Sequence, residues 1–439
     1  MATLQPYNKY YPVAYDYVTQ LPDGWQLLPN IAIFQERRER PKNEMELLSV
    51  SISKGVVRQS DMDKKDISSQ DKSNYKVVRI NDIAYGMEFR KGAVGYSNYE
   101  GIVSPVYTVL KPRKNRLVNP KFFHYVFRTE YYKNYIWRNV YGIGEHFLPC
   151  RFTHFKRMYS IVPPLSVQNS IVSYLDKKNE QIDTFIRNKE RLVEILEERK
   201  KDVIDATFTK GLNPNTEIKA TDIDWLTSLP KNWSLKRLKF LTKIISKGST
   251  PSTEGREMTS EGIRFIKAEN IFKSNVTEEP AFFIDAITHR ILKRSQLQEN
   301  DLLFVIAGAT IGKVAILPKE FLPANTNQAV SFIRLKKKVD VEFCYYWLHS
   351  NFITTSIWLK AVTSAQPNLA MEDLGNLSVP YPSDTEKEEI VKFVKEEHQI
   401  IDLAITKAQK EISAIKEYRE SLITDLVTGK RSVPQVQMS

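Results

Sequence analysis

The stretch SYLDKKNEQIDTFIRNKERLVEILEERKKDVIDATF, residues 173–208, lies near the middle of the 439-residue chain and predicts one long helix. Pro163 and Pro164 precede it and Gly211 follows it, as expected for the two ends of a helix. We predict that it runs from Ser166 to about Phe208. Its surface is too polar for a core element, so it must pack lengthwise on another helix. Its apolar stripe comprises Leu175, Ile182, Phe185, Ile186, Leu192, Val193, Leu196 and Val203.

A second stretch, Ser383 to Val427, is the best candidate for its partner. From Val391 to Leu426 its apolar positions alternate steps of three and four residues, which is typical of a coiled coil. His398 and Arg419 interrupt that pattern. Two arrangements remain open: antiparallel pairing within the chain, with one globular unit at each end, or pairing of each helix with another chain.

The two helices follow two copies of one pattern. Leu-Pro-Asp-Gly-Trp at 21–25 returns as Leu-Pro-Lys-Asn-Trp at 229–233, and Asn81-Asp82 returns as Asn300-Asp301. Ile182-Asp183 in the first helix matches Ile401-Asp402 in the second, 219 residues later. Aromatic helical segments occupy Phe122 to Trp137 and Phe343 to Trp358. The chain is therefore predicted to be a tandem duplication of a mixed α/β domain, an α+β fold in which each copy is followed by a long helix.

These patterns predict five segments. Residues 1–161 form the first domain, 162–212 the first long helix, 213–378 the second domain, 379–430 the second long helix and 431–439 a tail. Each domain is expected to begin with a turn that brings its Trp to a packed position.

Composition narrows the class of protein. The chain has no long apolar run or signal-peptide pattern, so we expect a cytoplasmic protein. Its two cysteines, Cys150 and Cys344, argue against a disulfide framework and are expected to be buried thiols. A net charge of +12 is compatible with a polyanionic partner such as nucleic acid.

Three stretches that resemble catalytic or ligand-binding motifs are each incomplete. Gly308 to Lys313 lacks the length and the Ser or Thr of a phosphate-binding loop, so a hairpin turn is predicted there. Asn119-Pro120-Lys121-Phe122 departs from the base-gripping loop of amino-methyltransferases at Lys121. His146, Cys150 and His154 lack a fourth ligand, and Pro149 interrupts a helix there. We therefore expect no catalytic, cofactor-binding or metal site in this chain.

Taken together, the repeated features resemble the DNA specificity subunit of type I restriction-modification systems. The resemblance covers Leu21 to Lys430 and is closest in the second half, in SLKRLKFLTKIISKGSTPS from Ser234, NTNQAV from Asn325 and TSAQPNLAMEDLGNLSVPYP from Thr363. In the first half YGIGEHFLPCRFTHF from Tyr141 replaces the Gln-containing loop, so loops there are harder to assign.

This resemblance implies a non-catalytic reader of double-stranded DNA. Each domain would be a target recognition domain for one half of a bipartite site, and the two helices would form an antiparallel spacer between the half-sites. Two methyltransferase (M) subunits and the restriction/translocase (R) subunits would be partners. S-adenosylmethionine, ATP and Mg would then bind to those partner subunits.

Candidate DNA contacts are Lys, Arg and small polar residues on loops. In the second domain they are Lys247, Ser249, Thr250, Lys267, Asn270, Lys313, Asn325, Asn327, Ser364 and Gln366. In the first domain they are Lys54, Arg58, Arg90, Lys91 and Arg113. Because the stripe of the first helix is broader than a two-helix contact needs, we predict that the methyltransferase docks at Ile186 and Val193.

Two other functions remain open on the sequence alone. A coiled-coil scaffold would assemble partners without measurable DNA affinity, and a nuclease would cleave DNA with magnesium.

Overall fold

The computed structural model describes residues 4–15, 18–52, 54–62, 68–113, 118–140, 150–223, 226–361 and 368–434. The chain divides into two compact units, Met1–Lys189 with Lys410–Ser439 (unit 1) and Glu190–Gln409 (unit 2). Each unit therefore combines one globular domain with parts of both long helices. The five segment boundaries given above stay a prediction.

Unit 1 is built around a four-stranded antiparallel sheet of order β4-β11-β8-β9. Its strands are β1 (Tyr10–Tyr15), β2 (Val18–Pro22), β3 (Gln26–Pro29), β4 (Phe34–Glu36), β5 (Leu48–Ser51), β6 (Gly55–Arg58), β7 (Lys76–Val78), β8 (Ile83–Tyr85), β9 (Val94–Tyr96), β10 (Gly101–Val103), β11 (Thr108–Pro112) and β12 (Tyr159–Val162). Its helices are α1 (Asn30–Ile33), α2 (Pro120–Arg128), α3 (Glu130–Asn139) and α4 (Phe152–Phe155), and α5 (Leu165–Lys210) continues into unit 2.

Aromatic side chains fill the core of unit 1. Phe34 on the sheet contacts Phe123 and Phe127 of α2, with ring centroids 5.0 and 6.0 Å apart. The buried residues Ile171 and Leu175 of α5 join the same cluster, so the start of the long helix is part of the domain core.

Unit 2 repeats the sheet as β16-β24-β21-β22 and adds a three-stranded sheet, β20-β17-β23, whose β17–β23 pair is parallel. Its strands are β13 (Ile218–Ile223), β14 (Leu226–Pro230), β15 (Ser234–Arg237), β16 (Thr242–Lys247), β17 (Ile263–Ile266), β18 (Ile271–Phe272), β19 (Asn275–Val276), β20 (Phe283–Ile284), β21 (Leu302–Val305), β22 (Val314–Ile316), β23 (Ala324–Thr326), β24 (Val330–Leu335) and β25 (Ser378–Tyr381). Its helices are α6 (Leu238–Leu241), α7 (Ala286–Ile291), α8 (Val339–Leu348), α9 (Asn351–Ala361) and α10 (Met371–Gly375), followed by α11 (Asp384–Val427), which continues into unit 1.

Equivalent residues of the two copies adopt equivalent structures. Trp25 and Trp233 are both buried, as the turn before each of them predicted. Asn81 and Asn300 have φ of 71° and 67°. The aspartate that follows each asparagine accepts a hydrogen bond from the backbone amide three residues earlier. The predicted duplication is confirmed.

Each predicted aromatic helical segment is two helices rather than one. The first is broken at Thr129, which has extended backbone and whose Oγ1 accepts a hydrogen bond from the amide of Tyr132. In the second, the Ser350 hydroxyl accepts a hydrogen bond from the amide of Ile353 at the start of α9. A hydroxyl that caps a new helix competes with continuation of the previous one, and the aromatic pattern concealed this signal.

The long helices lie within two residues of their predicted bounds, and Gly211 ends α5 with φ of 71°. In unit 1 Asp183 of α5 contacts Arg419 of α11 and Lys189 contacts Glu411 at 2.6 Å, so partner numbers fall as residue numbers rise. In unit 2 Lys200 lies 2.8 Å from Asp402. The chain therefore pairs its own two helices in antiparallel orientation. Asp402 is the repeat equivalent of Asp183, and Arg419 that of Lys200, each 219 residues later. The ion pairs Asp183–Arg419 and Lys200–Asp402 are therefore equivalent to each other.

Candidate nucleic-acid interface

Several predicted DNA contacts of unit 2 converge on one edge of the sheet β16-β24-β21-β22. Lys247 ends β16 opposite Ser331, so the following residues lie beside the start of β24. The amide of Ser249 donates to the carbonyl of Thr326 at 3.0 Å, and the Thr250 hydroxyl contacts Oε1 of Gln328. The loop 247–250 is therefore held against residues 326–328.

The next two loops continue this edge. The amide of Ile306 donates to the carbonyl of Ala329, and the amide of Leu369 donates to the carbonyl of Ile306, both at 2.8 Å. Between β21 and β22 lies the glycine turn 308–313, in which the amide of Val305 donates to the carbonyl of Lys313. The predicted hairpin turn is thus confirmed, and Lys313 belongs to the same edge.

Lys267 and Asn327 reach this edge from parallel strands. β17 and β23 pair through Ile266 and Thr326, so the residues after them leave the sheet on the same side. The Lys267 ammonium lies 3.6 Å from the centroid of the Phe282 ring. Asn327 is half-buried, and its Oδ1 is buried without a hydrogen-bond partner within the described part of the chain. This acceptor would have to turn outward to take a hydrogen bond from the amino group of a base.

Gly248 allows the close approach of these loops. A Cβ at this position would lie 1.9 Å from the carbonyl oxygen of Thr326 and 2.4 Å from that of Asn327. Only a residue without a side chain fits between the backbones, which explains the glycine in the Lys247–Thr250 loop.

Two of the predicted contacts do not face solvent. Asn325 is fully buried, and its Nδ2 donates to the carbonyl of Leu292 and to the Ser295 hydroxyl. Asn270 is also buried, and its Nδ2 donates to the carbonyls of Thr277 and Pro280. In this conformation both amides stabilise the fold instead of reaching DNA. Ser364 and Gln366 lie outside the described residues.

The corresponding edge of unit 1 contains a pocket of about 420 Å³. It lies where Thr108 of β11 pairs with Tyr85 of β8, next to the end of β4. Arg151 and Arg38 are exposed, and Arg38 pairs at 2.9 Å with Glu36, which also lines the pocket. Met87 and Val106 are exposed apolar side chains. Apolar groups at such a site can contact the methyl group of thymine, while arginines bind guanine edges or phosphates.

The predicted contacts of unit 1 are scattered by comparison. Arg90 and Lys91 lie in the β8–β9 connection at the pocket edge, where Arg90 stacks 4.1 Å from the centroid of Trp137 and Lys91 pairs with Glu88. Arg113 follows the opposite end of β11 and donates to the carbonyl of Ile31. Lys54 is in the β5–β6 turn and Arg58 ends β6, where it pairs with Glu46.

Arg38 and Arg151 were missed from the sequence. Arg38 belongs to the basic run Arg37-Arg38-Glu39-Arg40 directly after a strand, which was a usable signal for a loop of phosphate contacts. Arg151 follows the segment 141–149, which lies outside the described residues. All of these residues stay predictions as DNA contacts.

The described residues show little that favours catalysis. Burial raises the pKa of the Cys150 thiol to about 12, so it stays protonated at neutral pH and is a poor nucleophile. Cys344 is also buried, and burial raises the pKa of its thiol well above its usual value. Over the ranges described, no three His, Cys, Asp or Glu side chains are grouped as metal ligands, and His146 lies outside those ranges. No helix in the same ranges is long and apolar enough to cross a membrane.

Comparison with known proteins assigns the family. The model of the type I restriction modification DNA specificity domain matches the chain twice, over residues 31–195 and 230–415. The chain belongs to this family. The two matches correspond to the two copies of the duplication, so the chain has two recognition domains and a role in DNA target specificity.

Individual relatives are distant in sequence. The MjaVIII specificity subunit of Methanocaldococcus jannaschii is 22% identical over 358 residues, 81% of this chain and 80% of the relative. The EcoBI specificity subunit of Escherichia coli is 25% identical over 274 residues, 61% of this chain and 57% of the relative.

Two solved structures share the fold. One comes from a study of complex assembly and conformational transition of the type I R-M system, with a TM-score of 0.71 and 14% identity, covering 93% of this chain and 98% of the other. The HsdS subunit from Thermoanaerobacter tengcongensis has a TM-score of 0.55 and 16% identity, covering 95% and 99%.

Proposed function

We propose that the two sheet edges bind double-stranded DNA, one half-site each, and that the α5–α11 pair is the spacer between the half-sites. The observation that supports this most is the convergence of the loops 247–250, 306–313 and 327–329 on one edge of unit 2. Strand-end loops on a rigid sheet are a common location for recognition residues. The pocket at the corresponding sheet edge of unit 1 is proposed to bind the second half-site.

Each residue type has a part in this binding. Lys247, Lys267 and Lys313 are proposed to contact phosphates, which fix position without reading sequence. Asn327 is proposed to read a base by turning outward its Oδ1, which is buried and without a partner in the described part of the chain. A basic chain suits this role, because each lysine that contacts a phosphate releases counterions from the DNA and so favours binding.

The double variant Lys247→Ala/Lys313→Ala is expected to weaken DNA binding by about tenfold at roughly 100 mM salt. Loss of two phosphate contacts should also reduce the slope of log affinity against log salt by about 1.8. Fluorescence anisotropy measures both, with the chain in its methyltransferase complex. The duplex carries the motif whose methylation disappears from the host when this gene is deleted.

Lys239→Ala/Lys243→Ala is the matched control, since both lysines are exposed near the opposite end of β16. It removes the same charge from the same domain. An equal loss of affinity in both variants would indicate a general effect of charge and would contradict the proposed edge.

We propose that the methyltransferase subunits dock on residues other than the predicted Ile186 and Val193. Ile186 is buried in unit 1, and Val193 packs on the core of unit 2. The large apolar residues that the long helices expose in unit 2 are Leu192, Ile195, Phe393, Ile400 and Leu403, among which Ile400 and Leu403 are 62% and 65% exposed. We place the docking contact on Ile400 and Leu403, because one helical turn separates these two most exposed residues.

Ile400→Glu/Leu403→Glu is expected to release a methyltransferase subunit while the chain itself stays folded. Buried apolar contacts at an interface do not tolerate a carboxylate, whereas an exposed helix face does. Native mass spectrometry of the co-purified complex measures subunit stoichiometry.

The control Glu396→Gln/Lys407→Gln changes exposed polar residues on the same face of α11. It should retain the full complex. Full stoichiometry in the glutamate variant would exclude Ile400 and Leu403 as the contact.

We further propose that the chain catalyses no reaction and works in the cytoplasm. S-adenosylmethionine, ATP and Mg would bind to the methyltransferase and restriction/translocase partners. The protonated thiols described above support this assignment. Magnesium-dependent cleavage of DNA by the isolated chain would contradict it.

A further inference from the structure

The two recognition domains dock on their spacer helices through equivalent positions of the repeat. The fully buried Phe122 of α2 corresponds to Phe343 of α8, and the fully buried Ile171 of α5 corresponds to Ile390 of α11. In each unit the first turn of the domain helix faces the first turns of the long helix. The contacting side chains differ between the copies.

The inner position, Gln168 in unit 1 and Lys387 in unit 2, holds a neutral amide in unit 1 and an ion pair in unit 2. In unit 1 Gln168 is fully buried, its Oε1 accepts a hydrogen bond from the backbone amide of Asn119, and its Nε2 donates to the carbonyl of Pro163, both at 2.8 Å. The Asn119 side chain donates to Oδ1 of Asn169 and accepts from the backbone amide of Lys121. In unit 2 the equivalents of Gln168 and Asn119 are Lys387 and Asp340. Lys387 is fully buried, and its Nζ lies 2.6 Å from Oδ1 of Asp340.

The ion pair of unit 2 is completed by an aromatic residue. The Tyr381 ring centroid lies 3.3 Å from the Lys387 ammonium, and the Tyr381 hydroxyl donates to Oδ2 of Asp340 at 3.2 Å. The Lys387 ammonium also lies 2.9 Å from Oδ1 of the exposed Asp384 on the same helix. Asp340 is therefore the buried one of its two carboxylate partners, whereas Gln168 needs no charged partner.

The outer position carries ion pairs of opposite polarity. In unit 1 Lys121 of the domain pairs with Asp176 of α5 at 2.6 Å. In unit 2 Glu342 of the domain pairs with Lys395 of α11 at 2.5 Å. The domain side is thus positive in one copy and negative in the other.

We propose that these two positions determine which recognition domain can dock on which spacer helix. On α11 the first domain would place Lys121 against Lys395 and would leave the buried Lys387 with only the exposed Asp384 of its own helix as a carboxylate partner. On α5 the second domain would place Glu342 against Asp176 and Asp340 against the neutral Gln168. Both exchanges are unfavourable at both positions, and the inner position matters more because an unpaired buried charge costs more than a half-exposed like-charge contact.

This inference goes beyond DNA reading. The two domains are similar in fold but are not interchangeable between the halves of the chain. A recognition domain transferred from one half to the other keeps its stability only if the spacer-helix residues at both positions are changed with it.

The test exchanges the two positions of unit 1 in the full-length chain. The domain-side variant is Asn119→Asp/Lys121→Glu, the helix-side variant is Gln168→Lys/Asp176→Lys, and the matched variant combines all four substitutions. We expect the helix-side variant to lower the melting temperature of unit 1 by about 10 °C, because the ammonium introduced at position 168 would be a buried charge without a partner. The matched variant should melt above the helix-side variant, because it supplies a carboxylate at both positions, but below the parent, because Val162 and Leu165 stand where unit 2 has Tyr381 and Asp384.

Independent effects would give the opposite order. If the four substitutions act separately, the matched variant is less stable than either half-variant, and the proposal is wrong. Differential scanning calorimetry resolves this order without DNA or partner subunits, so failure of the inference is distinguishable from failure of the proposed function.

The reverse exchange in unit 2 covers the case in which a unit 1 variant does not fold. Asp340→Asn/Glu342→Lys alone leaves the buried Lys387 with only the exposed Asp384, and Lys387→Gln/Lys395→Asp alone leaves Asp340 without a cation. The four-residue combination reproduces the neutral inner pair of unit 1 and is expected to regain most of the lost melting temperature. No regain in unit 2 would also overturn the proposal.

Discussion

Asp301→Ala is expected to lower the free energy of unfolding of unit 2 by about 4 kcal/mol. The Asp301 side chain is fully buried, and its two carboxylate oxygens accept hydrogen bonds from Arg334 at 2.8 and 2.7 Å. The amide of Gln298 donates a third hydrogen bond at 2.7 Å. Removal of the carboxylate leaves a largely buried guanidinium without its counterion. Urea denaturation of the full-length chain, followed by tryptophan fluorescence, measures the change.

The double variant Asp301→Ala/Arg334→Met distinguishes the cost of an unpaired charge from the cost of the lost side-chain volume. With both charges removed, we expect unit 2 to recover most of the lost stability, since an apolar side chain can replace a buried ion pair. A cost below about 1 kcal/mol for the single variant would show that solvent reaches Arg334 and compensates its charge.

Asp82 of unit 1 shows what could and what could not be predicted from the sequence. The Asn-Asp repeat correctly predicted equivalent segments, and both adopt the same turn because a left-handed asparagine and a capping aspartate are local features. The partner of the aspartate is not local. Arg37, which follows β4, binds Asp82, whereas Arg334 within β24 binds Asp301. The turn was therefore predictable, but the strand that supplies its arginine was not.

The long helices were predicted within two residues because their end signals and periodicity lie in the sequence itself. The side chains that remain exposed were not predicted as well. Ile186 belongs to the same stripe as Leu192, yet Ile186 is buried and Leu192 is 39% exposed. Which part of a broad stripe is covered depends on the neighbouring element, and periodicity does not identify that element.

Candidate DNA contacts depended on the same distinction. The loop after Lys247 was correctly predicted, because its glycine and hydroxyl residues mark a strand end, although Lys247 itself is the last residue of β16. Asn325 has the same residue type as a base-reading side chain but ends up buried beside Ser295. An amide suits a buried hydrogen-bond network as well as a base edge, so residue type alone did not separate the two roles.

Lengthening both spacer helices by one heptad is expected to change the DNA target more than any single substitution. We would insert seven residues between Lys189 and Glu190 of α5 and seven between Gln409 and Lys410 of α11, the unit boundaries within the two helices. At 1.5 Å per residue the proposed spacer grows by about 10 Å, equivalent to two to three base pairs of B-DNA. The original site should lose roughly 10³-fold in affinity, because only one half-site at a time can then be bound.

Methylome sequencing of the host measures the result, since the methylated motif should keep both half-sites and gain two to three base pairs between them. Insertion into α5 alone is the control. The Lys189–Glu411 pair and the Lys200–Asp402 pair can then no longer share one helix register, so the insertion should abolish methylation instead of moving it to a longer gap. An unchanged gap after the double insertion would mean that the helix pair does not set the distance between half-sites, even if both sheet edges bind DNA.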